Sequence, residues 1–398
     1  MKEISKVKAY LKKSIRSIMM ERHILKYIHH NFISNLYFSF QDKDNLYLIL
    51  DYFSGGDLRY YLNKHIQFNE KQIKFFISNT IISLKYLHHN NILHRDLKPE
   101  NLVFDEKGYL NLVDFGISKK IRKNKHIRDK SGTPGYLSPE RILKESQSFC
   151  CDYFPVGIIL YELVFLKRPF NGRNKEEMTD NILYKNINLK KHNLPDIFIN
   201  SSSADELVDF INKLLKRKLN ERLGSKGINE IIQHSWLKGL DWDTIEAKLF
   251  HEKEIYFSPS SGDNFNYLKV NNKINEKDIN YYSYLKLINN STLFNSFYFN
   301  SFSINQRKVL SSKNLSHKEL CEKNKNGDKI ILNVSIKNNR KFLSNDKYST
   351  INESNDSNEY SISEYSCEED NFIFNKKSDN FKKISGDIKL ISKKTLKW

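Results

Sequence analysis

The sequence predicts an α+β fold in two lobes, a small β-rich lobe followed by a larger, mostly helical one. Three observations carry this. Two strand-like runs, residues 36–40 and 46–53, lie near the N-terminus and are joined by a polar turn over 41–45. Helical apolar spacing precedes them over 12–28 and returns after them over 71–88. The longest apolar stretch, 153–166, contains Glu162, reads as a buried helix and is too short to span a bilayer. A chain of 398 residues accommodates one such domain of about 250 residues and a further segment.

Taken in order, Ile15, Ile18, Met19, Ile24, Leu25 and Ile28 share one face of the first helix, with Glu21 inside that stripe. Ser54-Gly55-Gly56-Asp57-Leu58 breaks the second strand and starts a helix. After the 71–88 helix, Ile92-Leu93 leads into His94-Arg95-Asp96, and Asn101 follows five residues after the aspartate. Thirteen residues beyond Asn101 comes Asp114-Phe115-Gly116, entered from Leu110, Leu112 and Val113. Each tripeptide alone is weak; both together, in order and at hairpin spacing, are specific. These residue types suit phosphoryl transfer, which needs positioning and charge neutralisation rather than covalent chemistry. Asp96 can accept the proton of a hydroxyl and Lys98 can reach a phosphate. Asn101 and Asp114 offer hard oxygens of the kind Mg²⁺ prefers.

On these motifs, the segment from residue 2 to about residue 265 resembles the serine/threonine protein kinases of the AGC group. The run 47–58, the helix start Asp152-Tyr153-Phe154 and Lys167-Arg168-Pro169-Phe170-Asn171-Gly172 lean towards its YANK-like and protozoan members. The resemblance implies a protein-kinase-like two-lobed fold that phosphorylates serine or threonine with ATP and Mg²⁺. It aligns Lys2 with the lysine that grips ATP and Glu21, nineteen residues on, with its ion-pair partner. It makes Leu50 the gatekeeper, the Asp51 carbonyl and Phe53 amide the adenine-binding groups, and Val103 the residue beneath the ring. Leu25, Leu36, His94 and Phe115 match a stack coupling the Glu21 helix to the metal loop. The glycine-rich phosphate loop and two strands would precede Met1, so the chain reads as shortened at the third strand of the small lobe.

Further along, the resemblance implies a polar, basic, mobile loop over 117–131. Asp129 then stands where many relatives carry an activating phosphothreonine, ready to pair with Arg95. In Gly132-Thr133-Pro134-Gly135-Tyr136-Leu137-Ser138-Pro139-Glu140, Thr133 selects serine or threonine acceptors. Glu140 is expected to pair with Arg222, and Asp152 to hold the catalytic-loop backbone, with Pro155 in the first turn of its helix. Asp57, Glu100 and Glu162 match acidic positions that hold arginines upstream of the acceptor in basophilic relatives. The domain boundaries follow: 1–53 a partial small lobe, 54–250 the large lobe, 251–300 an AGC-type tail, and 301–398 a disordered Asn/Ser/Lys/Glu-rich tail. Within 251–300, Phe265 would lean over the nucleotide, and Phe294, Phe297 and Tyr298 would form a hydrophobic motif docking behind the Glu21 helix.

The balance is basic, 65 Lys+Arg against 47 Asp+Glu, a net charge of +18. The lysines are spread rather than gathered, which argues against a nucleic-acid protein. Four cysteines, two of them the adjacent Cys150 and Cys151, are not a disulfide framework and suit a reducing cytoplasm. The N-terminus shows no apolar core of a secretory signal. Acylation of a missing N-terminus would add membrane association. The expected partners are protein substrates with basic motifs, acted on by a monomer without a transmembrane segment. The alternative is a catalytically impaired scaffold that keeps the large lobe as a binding surface.

Overall fold

The N-terminal residues form a short strand, β1 (Lys2–Ser5), followed by α1 (Lys6–Leu11) and α2 (Ile15–Tyr27). This is seen in a computed structural model describing residues 1–121, 126–249, 257–259, 279–289, 293–294 and 296–300. All of them fall within the unit Met1–Val309. The helix expected from residue 12 is α2, which begins at Ile15, and a separate short helix, α1, precedes it. The Ser5 side chain caps α1, Lys12 closes it, Lys13 turns at φ 54°, and Ser14 donates its amide back to the Ala9 carbonyl before α2 begins. The polar triplet Lys12-Lys13-Ser14 forms the break between α1 and α2.

Next come β2 (Leu36–Gln41) and β3 (Asn45–Leu50), paired antiparallel, with Phe40 opposite Tyr47 and their rings stacked 5.0 Å apart. The carboxylate of Asp42 makes the turn by accepting the amides of Asp44 and Asn45. β1 pairs with β3 on the other side, placing Lys2 opposite Leu48.

The larger lobe opens with α3 (Leu58–Asn63), capped by the Asp57 carboxylate, and α4 (Glu70–His89), which starts at an Asn69/Gln72 capping box. Two small antiparallel ladders follow, β4 (Ile92–Leu93) with β7 (Lys119–Lys120) and β5 (Leu102–Phe104) with β6 (Leu110–Leu112). The remaining helices are α5 (Pro139–Ile142), α6 (Cys150–Phe165), α7 (Lys175–Tyr184), α8 (Asp196–Ile199), α9 (Ala204–Leu214), α10 (Ile228–Ile232) and α11 (Trp242–Glu246). α6 is buried nearly all round and packs against α4 and α9. Gly157 permits this, since a Cβ there would stand 2.9 Å from the Leu214 Cβ. Because α6 begins at Cys150, Pro155 lies past the first turn, inside the helix. It therefore cannot donate to the carbonyl of residue 151, a correction to its expected place.

The chain then returns to the small lobe. Phe257 packs its ring against Tyr61, Phe68, Phe76 and Phe104 in the large lobe. α12 (Ile279–Asn289) lies against α1, with Tyr284 and Tyr10 rings 6.2 Å apart and Lys6 Nζ donating to Asn289 Oδ1 at 3.1 Å. β8 (Phe299–Asn300) adds to the free edge of β2, giving the order β1-β3-β2-β8. Phe294 and Phe297 are buried. Their carbonyls accept from Gln41 Nε2 and Ser39 Oγ, and Arg22 on α2 donates to the Tyr298 carbonyl. Phe265 and residues 301–398 lie outside the described residues. Among the described residues no helix is long and apolar enough to cross a membrane.

Candidate active site

The 94–101 loop is pinned from beneath. Asp152, fully buried near the start of α6, accepts the amides of His94 at 2.9 Å and Arg95 at 2.8 Å. It also meets His88 Nε2 at 3.0 Å. Burial pushes the Asp152 carboxyl up, and the bond and charge of His88 with the backbone amide outweigh it, leaving the group below its ordinary value. This anchoring holds Arg95 at φ 73°, a conformation non-glycine residues adopt only when their surroundings dictate it. The His94 ring meets Phe115 edge-on at 5.2 Å and contacts the Val113 carbonyl. Leu25 and Leu36, the other members of the expected stack, are buried as well.

With the backbone fixed, Asp96 is aimed by four groups. Its Oδ2 receives Lys98 Nζ at 2.6 Å, and its Oδ1 receives the Thr133 amide at 3.1 Å and hydroxyl at 2.8 Å. Asn101 Nδ2 donates to the Asp96 carbonyl at 2.8 Å, and Lys98 reaches Thr133 Oγ1 at 2.9 Å. Burial raises the Asp96 carboxyl, and the bond and charge of Lys98 together with the Thr133 bond outweigh it, leaving the group below its ordinary value and ionised at neutral pH. Thr133 can approach because Gly132 precedes it at φ 133°, where a Cβ would stand 2.8 Å from Arg141 Nη2.

Across the cleft, Lys2 Nζ donates to both carboxylate oxygens of Glu21, at 2.7 and 2.9 Å, and lies 3.8 Å from Asp114 Oδ1. Burial pulls the Lys2 ammonium down, and Glu21 and Asp114 more than offset it, so it stays charged. Glu21 is buried while the Asp114 side chain is 45% exposed, which leaves Asp114 accessible to a ligand. Asp114 sits at φ 65° with the Gly116 amide on its Oδ1. Asn101 turns its amide nitrogen to Asp96, so its Oδ1 is the acceptor end directed elsewhere. At the edge of the cleft, the Asp51 carboxylate is taken by Asn35 and Tyr37, which leaves the carbonyl rather than the side chain of Asp51 for a ligand. Val103 is half-buried between the buried Leu102 and Phe104.

The loop after Asp114 is tied to the same frame. Arg95 donates to Gln147 Oε1 at 3.0 Å, the Ile117 carbonyl at 2.9 Å and Ser131 Oγ at 3.0 Å, and pairs with Asp129. Lys119 and the Ser131 hydroxyl also meet the Asp129 carboxylate. Burial raises that carboxyl, and Lys119, Ser131 and Arg95 together hold it far below the usual carboxylate range. Arg141 clamps the carbonyls of Arg95 and Ser131. Glu140 and Arg222 form a buried, two-pronged pair at 2.9 Å on each prong, and Arg222 also donates to the carbonyls of Cys150, Lys216 and Arg217.

The three acids expected to face substrate are not alike. Asp57 caps α3 by accepting the Tyr60 amide at 2.8 Å. Glu100 and Glu162 converge on Arg59, a residue that local reading does not single out, because its partners lie 41 and 103 positions away. Gln147 and Arg141, whose partner Arg95 lies 52 and 46 positions away, escape sequence reading for the same reason.

Comparison with known proteins places these groups in a family. The "Protein kinase domain" family profile matches residues 1–237. A probable serine/threonine-protein kinase of Dictyostelium discoideum is 36% identical over 62% of this chain and 52% of its own length. The serine/threonine-protein kinase sgk-1 of Caenorhabditis elegans is 38% identical over 62% of this chain and 51% of its own. The cAMP-dependent protein kinase catalytic subunit of Schizosaccharomyces pombe is 37% identical over 61% and 46%. The chain thus spans about half the length of the curated relatives it matches.

Proposed function

Because the chain belongs to the protein kinase domain family, we propose that it transfers the γ-phosphoryl group of ATP to serine or threonine hydroxyls of proteins. The observation that carries the reading is one hydrogen-bonded group, Asp96 with Lys98, Thr133 and Asn101, facing Asp114 and the Lys2–Glu21 pair. In this mechanism the acceptor hydroxyl gives its proton to Asp96 as its oxygen attacks the γ-phosphorus, and the bond to ADP breaks. Lys98 steadies Asp96 and the transferring phosphoryl group, and Lys2, oriented by Glu21, grips the remaining phosphates. Backbone groups of Asp51 and Phe53 and the side chain of Val103 take the adenine, with Phe265 as a further candidate.

The donor set also fits Mg²⁺, since Asp114 is accessible and Asn101 presents its carbonyl oxygen. When bound there, the ion supplies neutralisation of phosphate charge. Asp57, Glu100 and Glu162 outnumber Arg59 and favour acceptors with basic neighbours, a preference that Arg59 tempers. Glu140–Arg222 and Asp152 act by bracing the loop, and Asp129 by ordering the segment before Thr133. The free, buried thiols of Cys150 and Cys151 suit a reducing cytoplasm. The test is Asp96→Asn, which keeps shape and removes the base. It is expected to lower kcat about 100-fold or more while leaving ATP affinity unchanged. An unchanged kcat would overturn the assignment.

A further inference from the structure

Beside the candidate catalytic loop lies a second charged group that the proposed chemistry does not use. Arg59, in the first turn of α3, donates Nε to Glu100 Oε1 at 3.0 Å. Its Nη1 and Nη2 reach the two oxygens of Glu162 at 2.7 and 3.2 Å. Nη2 also meets the Tyr136 hydroxyl, which itself donates to Glu162. The Glu162 side chain is 7% exposed, Arg59 20% and Glu100 41%, so the group runs from the interior out to the cleft surface. It is continuous with the acceptor side of the site, since Glu100 follows Lys98 by two residues and Tyr136 follows Thr133 by three.

We propose that Arg59 is a specificity-determining residue, occupying from within the chain the Glu100–Glu162 carboxylate pair that would otherwise take a substrate's arginine. A planar guanidinium binds both oxygens of a carboxylate at once. Arg59 does so with Glu162 and spends its Nε on Glu100, which uses the fork completely. A substrate arginine entering here must displace Arg59, exchanging one guanidinium for another with no gain in ion pairs. It otherwise meets only the outer side of Glu100. Selection for arginine upstream of the acceptor is thereby flattened. Without Arg59, two carboxylates and the Tyr136 hydroxyl surround a space sized for a guanidinium, and Glu162 is left nearly buried without its cation. A role limited to neutralising Glu162 would change stability and leave peptide choice untouched.

The inference rests on the transferase reading only for which face receives the peptide. It is therefore tested by peptide binding without nucleotide, with phosphoryl transfer recorded separately. Fluorescence anisotropy on the full chain compares a serine peptide carrying upstream arginines with its alanine counterpart. Wild type is expected to bind the two within about threefold, and Arg59→Ala to prefer the arginine peptide by about tenfold or more. Arg59→Ala/Glu162→Gln should lose that gain. If Arg59→Ala does not stay folded, Arg59→Lys, which keeps a charge but not the fork, should shift the ratio about threefold in the same direction. A folded variant with the wild-type ratio overturns the proposal, as does a wild type that already prefers arginine tenfold. Binding that follows the expected pattern without transfer would count against the catalytic reading alone.

Discussion

Asp129 gathers Arg95, Lys119 and Ser131 around one carboxylate, so a fixed charge ties the segment leading to Thr133, the contact set behind the ordering role proposed for it. Losing these charge-assisted bonds in Asp129→Ala is expected to lower kcat about tenfold. Phosphatase treatment should leave wild-type transfer unchanged, and activity lost on treatment would contradict the role. The acid dependence has a definite sign. The Asp129 carboxyl is held below its ordinary value, so its contribution is complete above about pH 4 and is lost as the pH falls through the lowered value. Hydrogen-exchange protection across residues 126–131, taken relative to the intrinsic rate at each pH, should therefore fall as the pH drops below about 4 in wild type and change less in Asp129→Ala. At this scale, Asp96, Lys98, Asn101 and Asp114 were legible because loop chemistry ties them to short, fixed spacings. Arg59 was not, because its partners meet it only once α3 and α6 are packed.

Among the elements, β8 is the least expected and the easiest to remove. It adds only Phe299–Asn300 to the edge of β2, but Phe294 and Phe297 beside it are buried against the small lobe. Phe297→Ala is expected to cost about 3 kcal/mol by urea denaturation, within the range for a buried aromatic truncated to alanine. It should also speed hydrogen exchange at Phe38 and Ser39, the residues β8 pairs with. Unchanged stability and exchange would mean the segment contributes nothing to the sheet. Helices α2 and α4 were legible from periodicity and α6 from its long apolar stretch, though their starts shifted. α2 lost residues to a polar break at Lys12-Lys13-Ser14, and α6 gained a turn at Cys150 that put Pro155 inside it. A two-residue strand such as β8 carries no periodic signal of its own and exists only because the β2 edge is there to pair with.

Over the whole molecule, a chain of net charge +18 places Asp96, Glu100, Asp114 and Glu162 in or beside one cleft, with Lys2, Lys98 and Arg59 among them. The order of motifs along the chain made the two lobes legible. The resemblance implied a hydrophobic motif at Phe294, Phe297 and Tyr298 but neither α12 nor β8, and no local pattern of charge or periodicity specifies their return to the small lobe. The most direct test of the central claim is Mg²⁺- and ATP-dependent phosphate transfer by the 398-residue chain to serine and threonine peptides, beside Asp114→Ala. Transfer to serine or threonine that falls about 100-fold or more in the mutant is the expected result. Transfer equal in both proteins, or none from a wild-type chain that binds ATP, would contradict it.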